Sequence, residues 1–282
     1  MADDNQGDRA GAHAGGVPPR AHPAFHWTHE TWGLALRARL LEPHAQHLFT
    51  SAQLRLPAHA SEAERERAWS AVARSLAVPR DRILRVRQVH GRQVRVVRAE
   101  RPGVVDTAAL PDGDAIVSNV PGMALAVVVA DCVPLLLVDA RAGAAAAIHA
   151  GWRGTCAGVA RAAVDAMTDA WGTNPADIVA ALGPGIGPAD YEVGASLLDA
   201  FSQAGHADAV PRWFSRDNGV LRLDLGRANV DQLEAAGVSP ERIVGSGLST
   251  FAHPEWLESY RRDGAKAGRM VAAVVVPAPA RG

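Results

Sequence analysis

Residues 124–154 read ALAVVVADCVPLLLVDARAGAAAAIHAGWRG, and this stretch decides the fold. It holds three short apolar runs, Ala124–Val129, Leu135–Val138 and Ala144–Ile148. Each is bounded by Asp, Pro or Gly, which punctuate strands and disfavour continuous helix. The longest hydrophobic region, Met123 to Val138, is interrupted by Asp131 and Pro134 and falls short of a membrane span. It reads as paired strands, with Asp139 to Gly143 as the turn between the last two runs.

The ends of these strands carry the reactive side chains. Cys132 stands in Ala130-Asp131-Cys132-Val133-Pro134, and His149 opens His149-Ala150-Gly151-Trp152-Arg153-Gly154. Upstream, Ile83 to Val97 alternates like a strand and breaks at Gln88-Val89-His90-Gly91. His90, Cys132 and His149 are too distant for one helix to present, so they can meet only at neighbouring strand ends, about 5 Å apart across a sheet. Two imidazoles and a thiolate match the ligand count of a catalytic zinc, which keeps a fourth position open.

Working outward, Ser61 and Glu64 form a capping-box signature ahead of Trp69, Val72, Ala73 and Leu76, which recur at helical spacing. Short strands are expected around Leu34–Leu36 and Leu54–Leu56. Thr155 is placed to cap a helix with Val159, Ala163, Met167 and Ala170 on one face, stopped by Gly172. Asn174-Pro175 suits a short helical turn, and Gly183 to Pro188 must be an irregular loop. Helices near Val193–Gln203 and Gly226–Ala236 and a last strand, Met270–Val276, complete the pattern. These elements predict one mixed α/β domain over residues 25–278, preceded by a disordered tail over 1–24.

The chain has 282 residues with 29 basic and 30 acidic side chains, so no global field favours nucleic acid or an anionic membrane. Cys132 and Cys156 are too few for a disulfide framework, and no apolar leader opens the sequence; a cytoplasmic protein with reduced thiols is expected. Lys266 is the only lysine, which reads as coding bias toward arginine, so arginine abundance is by itself no evidence for phosphate recognition.

The same residues admit other chemistry. Cys132 as nucleophile with His149 as base, oriented by a third group, is the arrangement of cysteine hydrolases. A lone cysteine or histidine is also commonly a packed or hydrogen-bonded structural residue. Asp131, adjacent to Cys132, faces away from it on an extended strand and suits a supporting role. The Gly183 to Gly187 loop is a poor dinucleotide fingerprint because Pro184 and Pro188 interrupt it; a pocket wall suits it better. The Tyr260-Arg261-Arg262-Asp263-Gly264 segment could hold a phosphate or a base edge, or be an ordinary charged turn.

Taken together, QVHG, ADCVPLLLVD, HAGWRG, ALGPGIGPADYEVG, SYRRDG and GRM resemble the YfiH family, also called laccase-domain or polyphenol oxidase proteins, from about Val86 to Val276. The resemblance implies α/β/β/α layers around mixed sheets, similar to the catalytic domain of the cytotoxic necrotizing factor toxins. It implies that His90, Cys132 and His149 are at once the metal ligands and the catalytic centre, with zinc the usual ion and copper the alternative. It further implies phosphorolysis of adenosine, inosine or methylthioadenosine and hydrolytic deamination of adenosine, with purine nucleosides and phosphate as partners. On that reading Arg153, Arg261 and Arg262 are the candidates for phosphate and Gln88 for a base edge. An editing role in peptidoglycan precursor synthesis is also attached to the family.

The first third departs from the family pattern. Phe49-Thr50-Ser51-Ala52 lacks the arginine expected at its fourth place, with Arg55 the nearest that could replace it. The Asn-Arg pair expected on the next helix is missing, and Ser249-Thr250 stands where many members carry cysteine-threonine. Four readings follow: a zinc-dependent purine nucleoside phosphorylase and deaminase, a cysteine hydrolase of an amide or cell-wall precursor, a copper phenol oxidase, and a nucleoside-binding module without turnover. The oxidase is disfavoured because one His₂Cys set lacks the several copper ligands of multielectron oxygen chemistry.

Overall fold

The computed structural model describes residues 16–98 and 110–278, so residues 1–15 of the expected tail lie outside the described residues. In the remainder of that segment, His22 N–H donates to Ser246 O at 2.9 Å and Trp27 Nε1 donates to Pro19 O at 2.9 Å. Among the described residues, fourteen strands follow in chain order. They are β1 (Phe25–Glu30), β2 (Gly33–Ala38), β3 (His47–Thr50), β4 (Ile83–Leu84), β5 (Val94–Val97), β6 (Ala115–Ser118) and β7 (Ala124–Val129). Then come β8 (Val133–Asp139), β9 (Ala144–Ala150), β10 (Val179–Leu182), β11 (Phe214–Asp217), β12 (Val220–Leu223), β13 (Ile243–Gly245) and β14 (Met270–Val275). The helices are α1 (Glu62–Ser75), α2 (Trp152–Ala157), α3 (Val159–Trp171), α4 (Ala195–Phe201), α5 (Val210–Trp213), α6 (Leu225–Ala235) and α7 (Tyr260–Asp263).

Two mixed six-stranded sheets, in the orders β1-β2-β3-β14-β7-β4 and β13-β10-β8-β9-β6-β5, stack face to face, and β11 and β12 form a separate hairpin. Strand periodicity sorts the side chains into layers. Leu136 and Val138 of β8 join Leu125 and Val127 of β7 between the sheets, whereas Leu135 and Leu137 face α3 and α6. On the far side, Ala124 and Ala126 pack beneath Trp69 and Val72 of α1. The result is the expected α/β/β/α order. Strands covered on both faces must be apolar throughout, which explains the continuous runs in residues 124–150. Leu135, Leu136 and Leu137 are fully buried, each contributing about 1.5–3 kcal/mol of transfer free energy.

The break at His90-Gly91 has a structural meaning. β4 pairs with β7 in one sheet, and β5 pairs with β6 in the other, so the segment carrying His90 crosses between layers. Registry does the rest: Val133 pairs with Ala150 and Pro134 with His149, bringing the start of β8 against the end of β9.

Most local expectations hold. The Ser61 and Glu64 capping box is present, and Asn174 caps a 3₁₀ turn over Pro175–Asp177. Two differ. Thr155 is not a helix cap: Gly151 caps α2, Gly158 in a left-handed conformation (φ 83°) opens α3, and Thr155 is buried inside α2. Leu54–Leu56 forms no strand, because Ala52–Leu54 turns as 3₁₀ helix and Leu56 makes only an isolated bridge to Arg269.

Candidate metal centre

His90, Cys132 and His149 converge, with their ligand atoms all within 4.8 Å of one another. The two imidazole rings meet edge to face, centroids 4.8 Å apart. Each side chain is delivered by a different device. His149 is the penultimate residue of β9, Cys132 sits one place before β8, and His90 lies in the crossover between sheets. His90 and Asp131 both have positive φ, 59° and 85°, conformations that cost a non-glycine residue free energy and concentrate at functional sites.

Asp114, given no role from sequence alone, organises the cluster. Its carboxylate is wholly buried immediately before β6. It accepts main-chain N–H groups from Val89 (3.3 Å), His90 (2.9 Å) and Gly91 (2.6 Å), and His149 Nδ1 lies 2.8 Å from Oδ1. One carboxylate therefore anchors the loop of one ligand and orients the ring of another. With Nδ1 held, Nε2 is the nitrogen of His149 left to bind an ion, the usual carboxylate–histidine arrangement of metal sites. The signal available was an acidic residue abutting an apolar strand.

The electrostatics suit a cation. Burial alone would raise the Cys132 thiol, but hydrogen bonds and charges of His149 and His90 outweigh it and pull the thiol down to about 6. Burial likewise opposes charge on His149, yet Asp114 and Cys132 push its imidazole up to about 9. Both shifts favour a thiolate facing an imidazolium in the metal-free centre, and an ion entering it would displace the imidazolium proton. Ligands at about 2.0–2.3 Å from one ion stand roughly 3.3–3.8 Å apart, so modest side-chain rotation closes the set. The donor set fits a tetrahedral N₂S ion with one open position.

Two glycines make room for it. A Cβ on Gly151 would lie 2.8 Å from Cys132 Sγ and 3.2 Å from His90 Cδ2, and one on Gly154 would lie 2.8 Å from Gly91 O. The glycines of HAGWRG thus let α2 approach the other two ligand segments. Gly151→Ala should lower metal affinity at least about tenfold while leaving the melting temperature near wild type, because the clash falls on ligand side chains. Chelator-competition titration beside thermal denaturation checks this.

In metal-free protein, thiolate is the reactive form, so alkylation of Cys132 should accelerate as pH rises through about 6. Cys156, whose thiol burial pushes up, is the internal control. Iodoacetamide rates followed by mass spectrometry give the two profiles, and a Cys132 midpoint in the ordinary thiol range would contradict the assignment.

The trio opens into a cavity of about 690 Å³, within the roughly 300–1,000 Å³ of small-molecule sites. Arg153 and Arg261 line it, Arg153 stacking on Trp152 at 4.2 Å and Arg261 on Tyr191 at 5.1 Å. Gln88 also lines it, but its amide is engaged elsewhere: Nε2 donates to Val128 O (2.7 Å) and Oε1 accepts Val128 N–H (2.8 Å). Those bonds fasten the His90 segment to β7.

Arg262 is placed differently from Arg261. It is absent from the cavity lining, and its guanidinium is spent on Thr250 O, Phe251 O, Leu257 O and Asp263. Tyr191, Tyr260 and Arg269 also line the cavity; Tyr260 lies in the segment already noted, whereas Tyr191 and Arg269 fell within quoted motifs without a role. Arg55 lines a separate groove with Trp32 and Arg67, so it does not replace the missing arginine in this cavity. Asp131 has φ 85° rather than the extended geometry expected of it, and it lines the cavity beside Cys132.

The model of the family described as multi-copper polyphenol oxidoreductase laccase matches residues 43–277. The chain is 40% identical over 206 residues to a purine nucleoside phosphorylase of Deinococcus radiodurans, covering 73% of this chain and 75% of that one. It is 36% identical over 208 residues to purine nucleoside phosphorylase YlmD of Geobacillus stearothermophilus, with 71% and 74% covered. Among solved structures, the hypothetical protein YfiH of Bacillus licheniformis aligns with TM-score 0.81 at 25% identity, covering 90% of this chain and all of that one (100%). YlmD from Geobacillus stearothermophilus aligns with TM-score 0.78 at 29% identity, covering 89% and 98%.

Proposed function

The chain belongs to the multi-copper polyphenol oxidoreductase laccase family, and from that premise we propose that it is a zinc-dependent purine nucleoside phosphorylase that also deaminates adenosine at the same centre. The observation that carries this reading is the juxtaposition of an open N₂S donor set with a cavity lined by three arginines, Arg153, Arg261 and Arg269. A bound zinc would supply Lewis acidity and an activated water at its open position. His90, Cys132 and His149 would hold it, and Asp114 keeps His149 in the binding tautomer.

The arginines supply positive charge where inorganic phosphate must be held against the anomeric carbon. Trp152, Tyr191 and Tyr260 offer aromatic faces for a purine and its sugar. Tyr191, whose phenol burial pushes up to about 12, stays protonated and can donate to a departing base. The donor set disfavours multicopper chemistry: His90, Cys132 and His149 are the only such cluster found among the described residues.

Metal-replete protein should release hypoxanthine from inosine only when phosphate is present, and should convert adenosine to inosine. Chromatography of a small nucleoside panel with and without phosphate tests this; neither free base nor inosine formed would reject the proposal.

One observation favours a second reading. Cys132, His149 and Asp114 stand in the order nucleophile, base, orienter, so the third group of a cysteine hydrolase is present. Activity that survives metal removal and disappears on thiol alkylation would select it.

A further inference from the structure

The Asp131 carboxylate binds no ligand atom of the trio and reaches instead across the fold. It accepts the Thr250 hydroxyl at 2.6 Å and the main-chain N–H of Arg261 at 2.6 Å. Both partners are more than a hundred residues away in sequence. The left-handed backbone at Asp131 sends this carboxylate toward Thr250 and α7 while the next residue, Cys132, turns its thiol into the trio. Aspartate tolerates that conformation better than most side chains.

The arm that Asp131 grips is the one bearing Arg261. Beyond its main-chain bond, Arg261 donates from Nη1 to Glu192 O at 2.9 Å and lies over the Tyr191 ring. With one guanidinium donor committed, the others remain for an anion in the cavity. Tyr260 and Arg261 are the exposed residues of the arm, Tyr260 being 57% accessible, while Arg262 ties its far side to the carbonyls of Thr250, Phe251 and Leu257. The short charge-assisted bond from Asp131 falls on the Arg261 N–H itself, so it restrains the exposed side of the arm, from which the guanidinium projects.

We propose that Asp131 is a positioning residue that ties the Arg261 arm to the Cys132 ligand, fixing the distance between the anion-binding guanidinium and the metal centre. This rests on the phosphorylase reading, in which Arg261 contacts phosphate. It goes beyond that reading by linking the metal-binding and phosphate-binding halves of the site through one side chain.

Two substitutions separate the tether from its alternatives. Asp131→Gly suits φ 85° and removes both bonds. Asp131→Asn keeps both, its oxygen accepting Arg261 N–H and its amide donating to the Thr250 hydroxyl. The measurements are metal content, steady-state kinetics with inosine over a phosphate series, and amide hydrogen exchange across residues 259–263.

Asp131→Gly should raise KM for phosphate about tenfold, with kcat within about threefold, metal content unchanged and exchange at the Arg261 amide accelerated. Asp131→Asn should stay within about threefold of wild type in every readout. If Asp131→Gly folds poorly, Thr250→Val, which removes one of the two bonds, should give an intermediate KM. Loss of metal in Asp131→Gly, an unchanged phosphate KM with unchanged exchange, or an Asn variant as impaired as the Gly variant would each overturn the tether. Wild-type protein that turns over no inosine would reject the phosphorylase reading instead, and exchange at Arg261 would still decide whether Asp131 holds the arm.

Discussion

Cys132→Ala should abolish turnover, lowering kcat/KM by about a thousandfold or more and stripping the bound ion. The thiol is the only anionic ligand in the trio, and the surroundings hold it as thiolate near neutral pH. Removing it leaves two neutral imidazoles, a weak pair for a divalent cation in a protein site. The loss should be chemical rather than structural. Cys132 lies outside the sheet, before β8, so the fold should survive, but the metal-free variant should melt somewhat below metal-free wild type near neutral pH because it lacks the thiolate paired with His149. Steady-state kinetics with elemental analysis of the same sample tests this. Activity and ion both retained would remove the thiol from the mechanism.

The second large effect is expected at a residue that touches no substrate. Asp114→Asn keeps the volume but offers only one accepting atom to four donors: three loop N–H groups and the His149 ring. Metal affinity should fall about 10–100-fold, the usual consequence of losing a supporting partner behind a ligating histidine. Asp114→Ala should do more, because the buried His149 N–H would then lack an acceptor, at about 1–3 kcal/mol. Chelator competition and chemical denaturation separate the two contributions. Affinity unchanged in both variants would show that the carboxylate is incidental.

The pH dependence follows from the same contacts. His149 is pushed up to about 9, so the stabilisation it draws from Asp114 and Cys132 is fully present below its ordinary range and fades as pH rises through about 9. Cys132 is pulled down to about 6, so its contribution is present above the ordinary thiol range and is lost as pH falls through about 6. The ion pair exists between these limits, and metal-free protein should lose stability on either side.

The strand runs and the candidate trio were legible because each rests on local signals, whereas the α/β/β/α layering was implied only by the family resemblance. Apolar runs covered on both faces lack polar interruptions, and His90, Cys132 and His149 each mark the point where such a run stops. Strand partnership was less accessible. β14, from the far end of the chain, inserts between β3 and β7, a pairing fixed by packing rather than by any local pattern.

Side-chain commitments were least legible. Arg261 and Arg262 are neighbours in one turn, yet one faces the cavity and the other is consumed by carbonyls of residues 250–257. Gln88 looked free because its partner, the backbone of Val128, lies on a strand forty residues away. Asp114 was overlooked for a related reason. Beside Asp112-Gly113 it resembles turn chemistry, and only the assembled fold shows it fully buried against His149.

The direct test of the central claim is X-ray absorption spectroscopy at the metal edge on protein purified without chelator. One ion per chain, with a single sulfur near 2.3 Å and two imidazole nitrogens at about 2.0–2.1 Å, is the predicted shell. A shell of nitrogen and oxygen alone, or active protein carrying no ion, would contradict it.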